Sequence, residues 1–394
     1  MRFTPKSLLK GLFHYEICPD IFTFIPNFQT FKVVIGDDLG RIKIYDASSL
    51  SFINSFQAHS GWIHRILESP FIQNKKNSNY IATCSQDGTV KIWDSSSSPT
   101  TPPSDWSLVQ TYSNHNSEVF GLEWLDADTL ASCGQTDEAI KIWSLSSAQT
   151  KKEITVTKPG VYSLKLLNNR KHLAVGGFNP VRDINIYDMN DGSLVASLQG
   201  HTASVFDLVQ LSDDLLASSS NDATVRIWNL TTSANKFTLQ GHTSDEGVIG
   251  LKQISSDLLA SSSGDSAIKV WNVTTSELVR TLVGHTGSIY WALDLLNNNG
   301  QQLVSGSAWG DQAIKVWDMS TGECLKTIQT DSHIWSLVVI GPNKSKFFFP
   351  FVILPSTHQK TFNLSTSNCL YKKRPALCPD HKIKCACYYI YMCK

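Results

Sequence analysis

Side chains of the three types that hydrolases combine for nucleophilic catalysis, His, Ser or Thr, and Asp, recur along this chain at regular intervals. Three of the His residues follow a Gly, at Gly200-His201, Gly241-His242 and Gly284-His285. An Asp stands six residues before a Trp in five places, at Asp87–Trp93, Asp137–Trp143, Asp222–Trp228, Asp265–Trp271 and Asp311–Trp317. Such residues could supply a base and an orienting carboxylate for a Ser nucleophile. Because the same set occurs in five copies, we interpret it as a packing device rather than an active site.

Other chemical motifs are scarce. Outside the repeated sets the sequence has no Gly-rich phosphate loop and no isolated nucleophile–base pair. Five of the nine Cys lie in the last 26 residues, at Cys369, Cys378, Cys385, Cys387 and Cys393. Cys378, His381, Cys385 and Cys387 suggest a zinc site of irregular ligand spacing. The alternatives for this tail are an interaction segment or a segment without a stable fold. We favour the last interpretation and expect no metal and no cofactor.

The composition of the chain is that of a soluble globular protein. Its 394 residues are 41% hydrophobic and carry 34 basic and 34 acidic side chains, so the net charge indicates neither a nucleic-acid-binding nor a membrane-binding protein. No segment is apolar over the roughly 18–20 residues that a membrane-spanning helix needs, and a secretory signal is not expected. The other four Cys are scattered, which suits a reducing compartment. We expect an intracellular, cytoplasmic protein, with the nucleus as an open alternative.

A repeat with a period of forty-odd residues organises the sequence. Its most regular segment reads "RIKIYD", "TVKIWD", "AIKIWS", "DINIYD", "TVRIWN", "AIKVWN" and "AIKVWD", with spacings of 48, 50, 44, 41, 43 and 46 residues. A period in this range marks a propeller or a solenoid. Within one unit, β-branched residues alternate with polar ones, and the fifth unit holds four strand-like runs, "SVFDLVQL", "LLASSS", "TVRIWNL" and "NKFTLQG". One such sheet cannot bury both of its faces, so neighbouring units must stack.

The Gly-His pairs at the start of units and the Trp-Asp pairs at Trp93-Asp94 and Trp317-Asp318 make residues 31–340 resemble the WD-repeat β-propeller family. The resemblance implies a structural hydrogen-bond network in five units, made of a His, a Ser or Thr, an Asp and a Trp. Its members are His59, Thr83, Asp87 and Trp93; His115, Ser132, Asp137 and Trp143; His201, Ser218, Asp222 and Trp228; His242, Ser261, Asp265 and Trp271; and His285, Ser305, Asp311 and Trp317. The first and fourth units lack this network, with Ile35 and Tyr45, and Val175 and Tyr187, in the corresponding places.

The expected fold is all-β, a seven-bladed β-propeller of four-stranded antiparallel blades. The first unit has only three evident strands, and "HIWSLVVI" at 333–340 is expected to complete it and close the ring. The alternative is a truncated eight-bladed propeller, with Ile21–Ile25 as the missing strand. The expected domains are a weakly ordered N-terminal extension at 1–30, the propeller at 31–340, and a divergent, Cys-rich, disordered tail at 341–394.

Residues that depart from the repeat are the candidates for binding, because shared residues build the scaffold and loops carry specificity. Trp62, Glu118 and His333 stand out just before the first strand of their units, and an insertion of two residues places Trp309 in a turn. Phe178 and Arg182 lie in the irregular turn of the fourth unit. Trp and Arg often carry interface energy. These six residues are the predicted partner-binding set, and no catalytic residue is predicted.

The leading functional hypothesis is a non-catalytic scaffold or adaptor that docks protein or peptide partners on the loop rim, as the family resemblance implies. A substrate-recognition subunit of a ubiquitin ligase is an alternative, although residues 1–30 are short for an F-box and no Trp-Asp-x-Arg motif occurs. A propeller-based enzyme is the alternative of another class. Nucleic acid, membrane and small-molecule substrates are not expected as partners.

Overall fold

The computed structural model describes residues 31–71, 80–95, 106–156, 160–177, 182–296, 300–341, 372–373 and 388–389, and its regular elements there are all strands. The chain divides into two compact units, Met1–Pro342 and Asn343–Lys394. In the second unit, β29 (Lys372–Lys373) pairs antiparallel with β30 (Tyr388–Tyr389). The predicted extension at 1–30 and most of the predicted tail lie outside the described residues. Nowhere in the described ranges is there a helix long and apolar enough to cross a membrane.

Five four-stranded antiparallel sheets, which we name II to VI, make up most of the first unit. Sheet II contains β4 (Ile63–Glu68), β5 (Tyr80–Ser85), β6 (Val90–Asp94) and β7 (Ser107–Tyr112). Sheet III contains β8 (Val119–Trp124), β9 (Thr129–Gly134), β10 (Ala139–Ser144) and β11 (Thr150–Thr155). Sheet IV contains β12 (Val161–Leu166), β13 (His172–Gly177), β14 (Ile184–Asp188) and β15 (Leu194–Leu198). Sheet V contains β16 (Val205–Ser212), β17 (Leu215–Ser220), β18 (Thr224–Asn229) and β19 (Ala234–Gln240). Sheet VI contains β20 (Val248–Gln253), β21 (Leu258–Ser263), β22 (Ala267–Asn272) and β23 (Leu278–Val283).

A sixth sheet, sheet I, has eight strands and joins the two ends of the repeat region. Its strands are β1 (Lys32–Asp37), β2 (Arg41–Asp46), β3 (Phe52–Gln57), β24 (Trp291–Leu295), β25 (Gln302–Gly306), β26 (Ala313–Asp318), β27 (Cys324–Gln329) and β28 (Ile334–Ile340). Strand β28 pairs antiparallel with β1, from Lys32↔Ile340 to Asp37↔Ile334. The prediction that the 333–340 segment completes the first unit is therefore confirmed.

The predicted seven-bladed ring of separate four-stranded blades is wrong, and so is the truncated eight-bladed alternative. The structure is a β-propeller with five four-stranded blades, and the first and seventh repeat units are continuous in sheet I. The junction is a parallel pairing of β24 with β28, at Trp291↔Ser336 and Ala292↔Leu337. The six other units carry Leu or Ile at the position of Ala292. We attribute this pairing to the small side chain of Ala292, which is buried in one cluster with Leu337 and leaves room for the two backbones to approach.

The hydrophobic core lies between neighbouring sheets rather than inside any one of them. Cys84 and Ile92 of sheet II pack in one cluster with Val119 and Leu122 of sheet III, for example. The second strands are buried from end to end, as in β9, whereas the outermost strands such as β27 are almost wholly exposed. The innermost strands β4, β8, β12, β16, β20, β24 and β28 contact one another in a closed cycle. Stacking around this cycle buries the faces that a single sheet would expose.

The connections into the innermost strands and the turns after the second strands lie at one end of the sheets. This follows from the antiparallel order of each sheet, and backbone hydrogen bonds join the two kinds of segment. The N–H of Gln86 donates to the carbonyl of Trp62 at 2.9 Å, and the N–H of Gln135 donates to that of Glu118 at 3.0 Å. We call this end of the propeller the upper face.

Candidate functional site

Each of the five predicted polar sets forms a continuous chain of hydrogen bonds. In sheet V, His201 Nδ1 lies 2.7 Å from Asp222 Oδ2, and His201 Nε2 lies 2.7 Å from Ser218 Oγ. The Trp228 Nε1–H donates to the same Ser218 Oγ at 2.7 Å. With His201 protonated on Nδ1, every donor has an acceptor along the series Trp, Ser, His and Asp.

The other four sets repeat this geometry. The distances from the His Nε2 to the hydroxyl oxygen and from the Trp Nε1 to the same oxygen are 2.8 and 3.0 Å at Thr83, 2.6 and 2.6 Å at Ser132, 2.8 and 2.8 Å at Ser261, and 2.7 and 2.8 Å at Ser305. The His Nδ1 contacts the carboxylate in all of them, at Asp87, Asp137, Asp265 and Asp311. The resulting link ties the connection before the first strand to the second and third strands of the sheet.

The Ser–His–Asp connectivity is that of a hydrolase triad, yet it is unsuited to catalysis. Ser218 is 0% exposed, and its oxygen already accepts the indole N–H of Trp228. A substrate carbonyl therefore has no path to the hydroxyl, which a nucleophile requires. The carboxylate of Asp222 is also used in the fold, because it accepts the backbone N–H groups of Thr202 and Thr224 at 3.0 Å each.

Electrostatics favour a neutral His beside an ionised Asp in the three sets that contain His59, His201 and His285. Burial lowers the pKa of His59, His201 and His285, and this outweighs the opposing effect of the neighbouring carboxylate. Burial alone would raise the pKa of Asp222. Hydrogen bonds from His201, Thr224 and the backbone of Thr202 overcome that effect and hold the pKa below its ordinary value. A neutral imidazole that donates Nδ1–H to the carboxylate follows from both shifts.

The two units that lack the network replace it in different ways. In sheet IV, Val175 and Tyr187 are buried in an apolar cluster. In sheet I, a buried ionic cluster that the sequence analysis missed surrounds Asp37, which is 0% exposed. Asp37 Oδ2 accepts the Arg41 Nε–H at 2.8 Å and the Ser332 hydroxyl at 2.9 Å, and lies 3.4 Å from Lys43 Nζ. Because Ser332 precedes β28, this cluster joins the two chain segments that meet in sheet I.

Four of the six predicted partner-binding residues lie together on the upper face. The Trp62 ring stacks on Trp335 at 4.8 Å between centroids, and it meets Trp309 at 6.4 Å and 70°. His333 belongs to the same group, and the centroid of its ring lies 4.3 Å from that of Trp309. Tyr290 stacks on Trp335 at 4.2 Å. We call these five aromatic residues, with Glu118, Glu246 and Asp38, the channel-mouth surface.

Three carboxylates border the rings. Glu118 contacts His64 Nε2 at 3.3 Å and Gln86 Nε2 at 3.4 Å, and the hydrogen bond from His64 lowers the pKa of Glu118. Burial raises the pKa of Tyr290 to about 12, and its hydroxyl donates to Glu246 at 3.4 Å. His333 Nε2 lies 3.9 Å from Asp38 Oδ2. Negative charge therefore stands at three points around an aromatic group.

The turn that carries Trp309 is fixed by close backbone packing. A Cβ on Gly287 would lie 1.3 Å from the Trp309 carbonyl oxygen, so no larger residue fits there. The equivalent residue of sheet II, Gly61, would place its Cβ 3.1 Å from its nearest neighbours. Gly310 follows with a φ of +117°, a conformation that favours glycine. The two-residue insertion therefore forms a tightly packed turn in which Trp309 is 44% exposed.

Side chains fill the centre of the propeller beneath this surface. Arg65 donates through Nη2 to the Phe206 carbonyl and to Asp207 Oδ1, both at 3.0 Å. The Trp291 Nε1–H donates to the same carbonyl at 3.2 Å, and the Arg65 guanidinium lies 4.9 Å from the Trp291 ring. These bonds connect sheets I, II and V across the axis. In each unit one residue directly follows the first apolar position of that unit. Residues at this position, such as Phe120 and Trp335, pack together in a hydrophobic cluster at the centre of the propeller.

The two remaining predicted residues do not join the group. Arg182 is exposed in the turn between β13 and β14, and no contact among the described residues connects it to the channel-mouth surface. Phe178 lies outside the described residues. Elsewhere in the described ranges, no group of three or more His, Cys, Asp or Glu is arranged to hold a metal ion.

The upper face is strongly acidic. Its described turns and connections contain twelve Asp and Glu, and Arg182 is the one Lys or Arg among them. The acidic residues are Asp38, Asp87, Glu118, Asp137, Glu138, Asp183, Asp222, Asp245, Glu246, Asp265, Asp311 and Asp331. Residues 31–341 as a whole carry 22 Lys and Arg against 31 Asp and Glu, a net charge of −9 that the neutral balance of the full chain conceals.

The sequence matches the profile of the family described as "WD domain, G-beta repeat" at residues 50–94, 106–144, 192–229, 234–272 and 276–318, which is 204 of its 394 residues. It is 27% identical to guanine nucleotide-binding protein subunit beta-like protein 1 of Mus musculus, over 37% of this chain and 42% of that protein. It is 26% identical to the E3 ubiquitin-protein ligase COP1 of Pisum sativum, over 53% of this chain and 30% of that protein. It is 24% identical to the ribosome biogenesis protein WDR12 homolog of Aedes aegypti, over 61% of this chain and 60% of that protein.

The chain thus spans less than two thirds of the length of these relatives. The fold is similar to the crystal structure of the computationally designed Ika8 protein, with a TM-score of 0.57 and 22% identity over 79% of this chain and 91% of that one. WD40 propellers in general are non-catalytic and typically bind other proteins. The five profile matches and the all-β propeller show that the chain belongs to the WD40-repeat family.

Proposed function

We propose that the chain is a non-catalytic adaptor that docks protein or peptide partners on its channel-mouth surface. The observation that carries this proposal is the grouping of Trp62, Trp309 and His333, which depart from the repeat, into one aromatic group. Glu118 is connected to this group through His64, whose ring lies 5.9 Å from that of Trp335. Large aromatic side chains that remain accessible at a rim are the residues that most often supply binding energy. The repeated polar sets, by contrast, are buried and serve the fold.

The filled centre supports docking on the face rather than insertion into a channel. Arg65, Asp207 and Trp291 bridge the axis with hydrogen bonds of 3.0–3.2 Å, so a partner would meet a floor beneath the rings. A rigid floor keeps the aromatic residues in place before the partner arrives. Preorganisation of this kind reduces the ordering cost of association.

Affinity capture of the tagged full chain from the cells that express it, followed by mass spectrometry, tests the proposal. The variant Trp62→Ala/Trp309→Ala should lose partners that the wild type retains. Phe52→Ala is the matched control, because Phe52 is an aromatic residue with 58% exposure on the outer strand β3, away from the upper face. It should retain the wild-type partners. If the double variant captures the same partners as the wild type and has the same melting temperature, the proposal is overturned.

A substrate-recognition subunit of a ubiquitin ligase is a second candidate, supported by the similarity to COP1 of Pisum sativum and Arabidopsis thaliana. In this role the captured partner would be modified and degraded. The half-life of the partner should be longer in cells that carry the Trp62→Ala/Trp309→Ala variant than in cells that carry the wild type. A proteasome inhibitor should abolish this difference in half-life. An unchanged half-life of a partner that does bind would refute this candidate and leave the adaptor proposal intact.

We also propose that the protein works in the cytoplasm and that residues 31–340 form its interaction domain. Cys84, Cys133 and Cys324 are free thiols, which suits a reducing compartment. Fluorescence imaging of the tagged full chain tests the first proposal, and exclusion of the signal from the cytoplasm would contradict it. Limited proteolysis tests the second, which predicts a resistant fragment with ends near 31 and 340.

A further inference from the structure

We propose that the partner segment recognised by the channel-mouth surface is basic, with a Lys or Arg side chain seated against Trp62 and Trp309. This inference rests on the proposed docking function and adds the chemistry of the partner. Its basis is the combination of an exposed aromatic corner with carboxylates that no nearby Lys or Arg neutralises. The two indole rings meet at 70°, with 6.4 Å between their centroids, and form the walls of that corner.

Aromatic faces attract cations. A guanidinium or ammonium group placed over an indole within about 6 Å is stabilised by the ring quadrupole. One face of Trp309 is covered by His333 at 4.3 Å, and Trp62 is stacked on Trp335, so the rings are held in fixed orientations. A cation that enters this corner needs no rearrangement of the walls. An apolar side chain would contact the same rings and would leave the surrounding carboxylates unpaired.

The bordering carboxylates supply the charge that selects a cation. Glu118 is held ionised by the hydrogen bond from His64, whose own pKa burial lowers so that the imidazole remains neutral. Its second oxygen contacts Gln86, which is also neutral. Within the channel-mouth surface, Glu246 accepts a hydrogen bond from the hydroxyl of Tyr290 and from no other described residue of that surface. These two negative charges are therefore solvated by dipoles and are open to an opposite charge from a partner.

The wider upper face favours a basic segment over other partners. The described turns contain twelve carboxylates and one Arg, Arg182. Asp331 is paired with Arg41 and Lys43, and Asp311 lies 4.0 Å from Lys315 Nζ. The other carboxylates leave an excess of negative charge on this face. Such an excess attracts a Lys- or Arg-rich segment, speeds its association, and repels acidic proteins and nucleic acids. The partner is thus defined by charge and by the need for at least one cation that reaches an aromatic corner.

The test is a selection of random peptides displayed on phage, with the immobilised full chain as bait and peptides of about 12 residues, long enough to cross several of the turns. Peptides that also bind the Trp62→Ala/Trp309→Ala variant are discarded. The inference predicts an excess of Lys and Arg in the remaining peptides. For a synthetic copy of one such peptide, Glu118→Gln/Glu246→Gln should raise the dissociation constant about tenfold or more, as the loss of charge-assisted contacts requires.

Salt dependence gives an independent readout on the same peptide. The dissociation constant should rise as the salt concentration increases from about 50 to about 500 mM, because screening weakens exposed charge pairs. Asp257→Asn is the control substitution, since Asp257 is an exposed carboxylate in the turn before β21, at the opposite end of sheet VI. It should leave the affinity unchanged.

Three results are possible. Basic peptides that depend on the rings, the two Glu residues and salt support the inference. Peptides that depend on the rings but lack an excess of Lys and Arg, and bind the Glu118→Gln/Glu246→Gln variant equally well, overturn the basic partner while leaving the docking function in place. The absence of any peptide that depends on the two rings also overturns the inference, and the capture experiment on the full chain then decides the docking function separately.

Discussion

Ser218 is the hub of the polar set in sheet V, and its removal tests whether the sets stabilise the propeller. Its oxygen accepts the Trp228 indole N–H and its hydroxyl donates to His201 Nε2, both at 2.7 Å. Ser218→Ala deletes both bonds and leaves two buried polar groups without partners. Each such group costs about 1–3 kcal/mol, so we expect the free energy of unfolding to fall by about 2–6 kcal/mol.

The melting temperature converts this value into an observable. With an unfolding entropy of about 2.1 cal/mol/K per residue over residues 31–341, each kcal/mol lowers the melting temperature by about 1.5 °C. Calorimetry should therefore show a decrease of about 3–9 °C for Ser218→Ala. Ser212→Ala is the matched control, since Ser212 ends strand β16 of the same sheet and is exposed. It should shift the melting temperature by less than about 1 °C.

A double-mutant cycle separates the network from the simple loss of a hydroxyl. Trp228→Phe removes the indole donor, and its combination with Ser218→Ala should cost less than the two single substitutions together, by about 1–2 kcal/mol, because both delete the same bond. A Ser218→Ala variant as stable as the Ser212→Ala control would refute the argument that these buried sets hold the sheets together.

Three further predictions follow from the same geometry. Burial lowers the pKa of His59, His201 and His285 below their ordinary value of 6.5, so the unfolded chain binds more protons than the folded one below about pH 6.5. Stability should therefore fall on acidification from pH 7 to pH 5, and a melting temperature that stays constant over that range would contradict this. Gly287→Ala should destabilise the fold by about 1–3 kcal/mol and displace the Trp309 turn, whereas the equivalent Gly61→Ala should be better tolerated; equal melting temperatures would show that the turn is not fixed as described. Asp37→Ala should cost about 3–5 kcal/mol, because Lys43 and its neighbours lose a buried carboxylate, and denaturant unfolding that shows less than about 1 kcal/mol would remove this cluster from the account of ring closure.

The repeat pattern was sufficient to predict most of the strands. Alternating residues in segments such as "TVRIWN" fix strand identity and phase, and the missing fourth strand of the first unit pointed to the pairing of β28 with β1. The fusion of the first and seventh units was not predicted. It depends on the backbone approach that Ala292 permits, and a single small residue in one unit is a weak signal before the neighbouring strand is known.

Contacts between distant units explain the other omissions. Arg65 reaches Asp207, 142 residues away, and a repeat alignment contains no information on which units face each other across the axis. The cluster around Asp37 joins residues at both ends of the repeat region, and its carboxylate is offset from the Asp position of the network. For the upper face, residues such as Trp62 are visible in the sequence as departures from the repeat, whereas the concentration of carboxylates appears only when the turns are assigned to one end of the sheets.

The central claim is that the buried residues shared by the repeat units stabilise the propeller, whereas Trp62 and Trp309 bind the partner. The most direct test is the dissociation constant of a partner for the Trp62→Ala/Trp309→Ala variant, measured alongside its melting temperature. The account predicts an affinity at least about a hundredfold weaker, as the loss of two aromatic anchors implies, with a melting temperature close to that of the wild type. Wild-type affinity in a folded variant would contradict it.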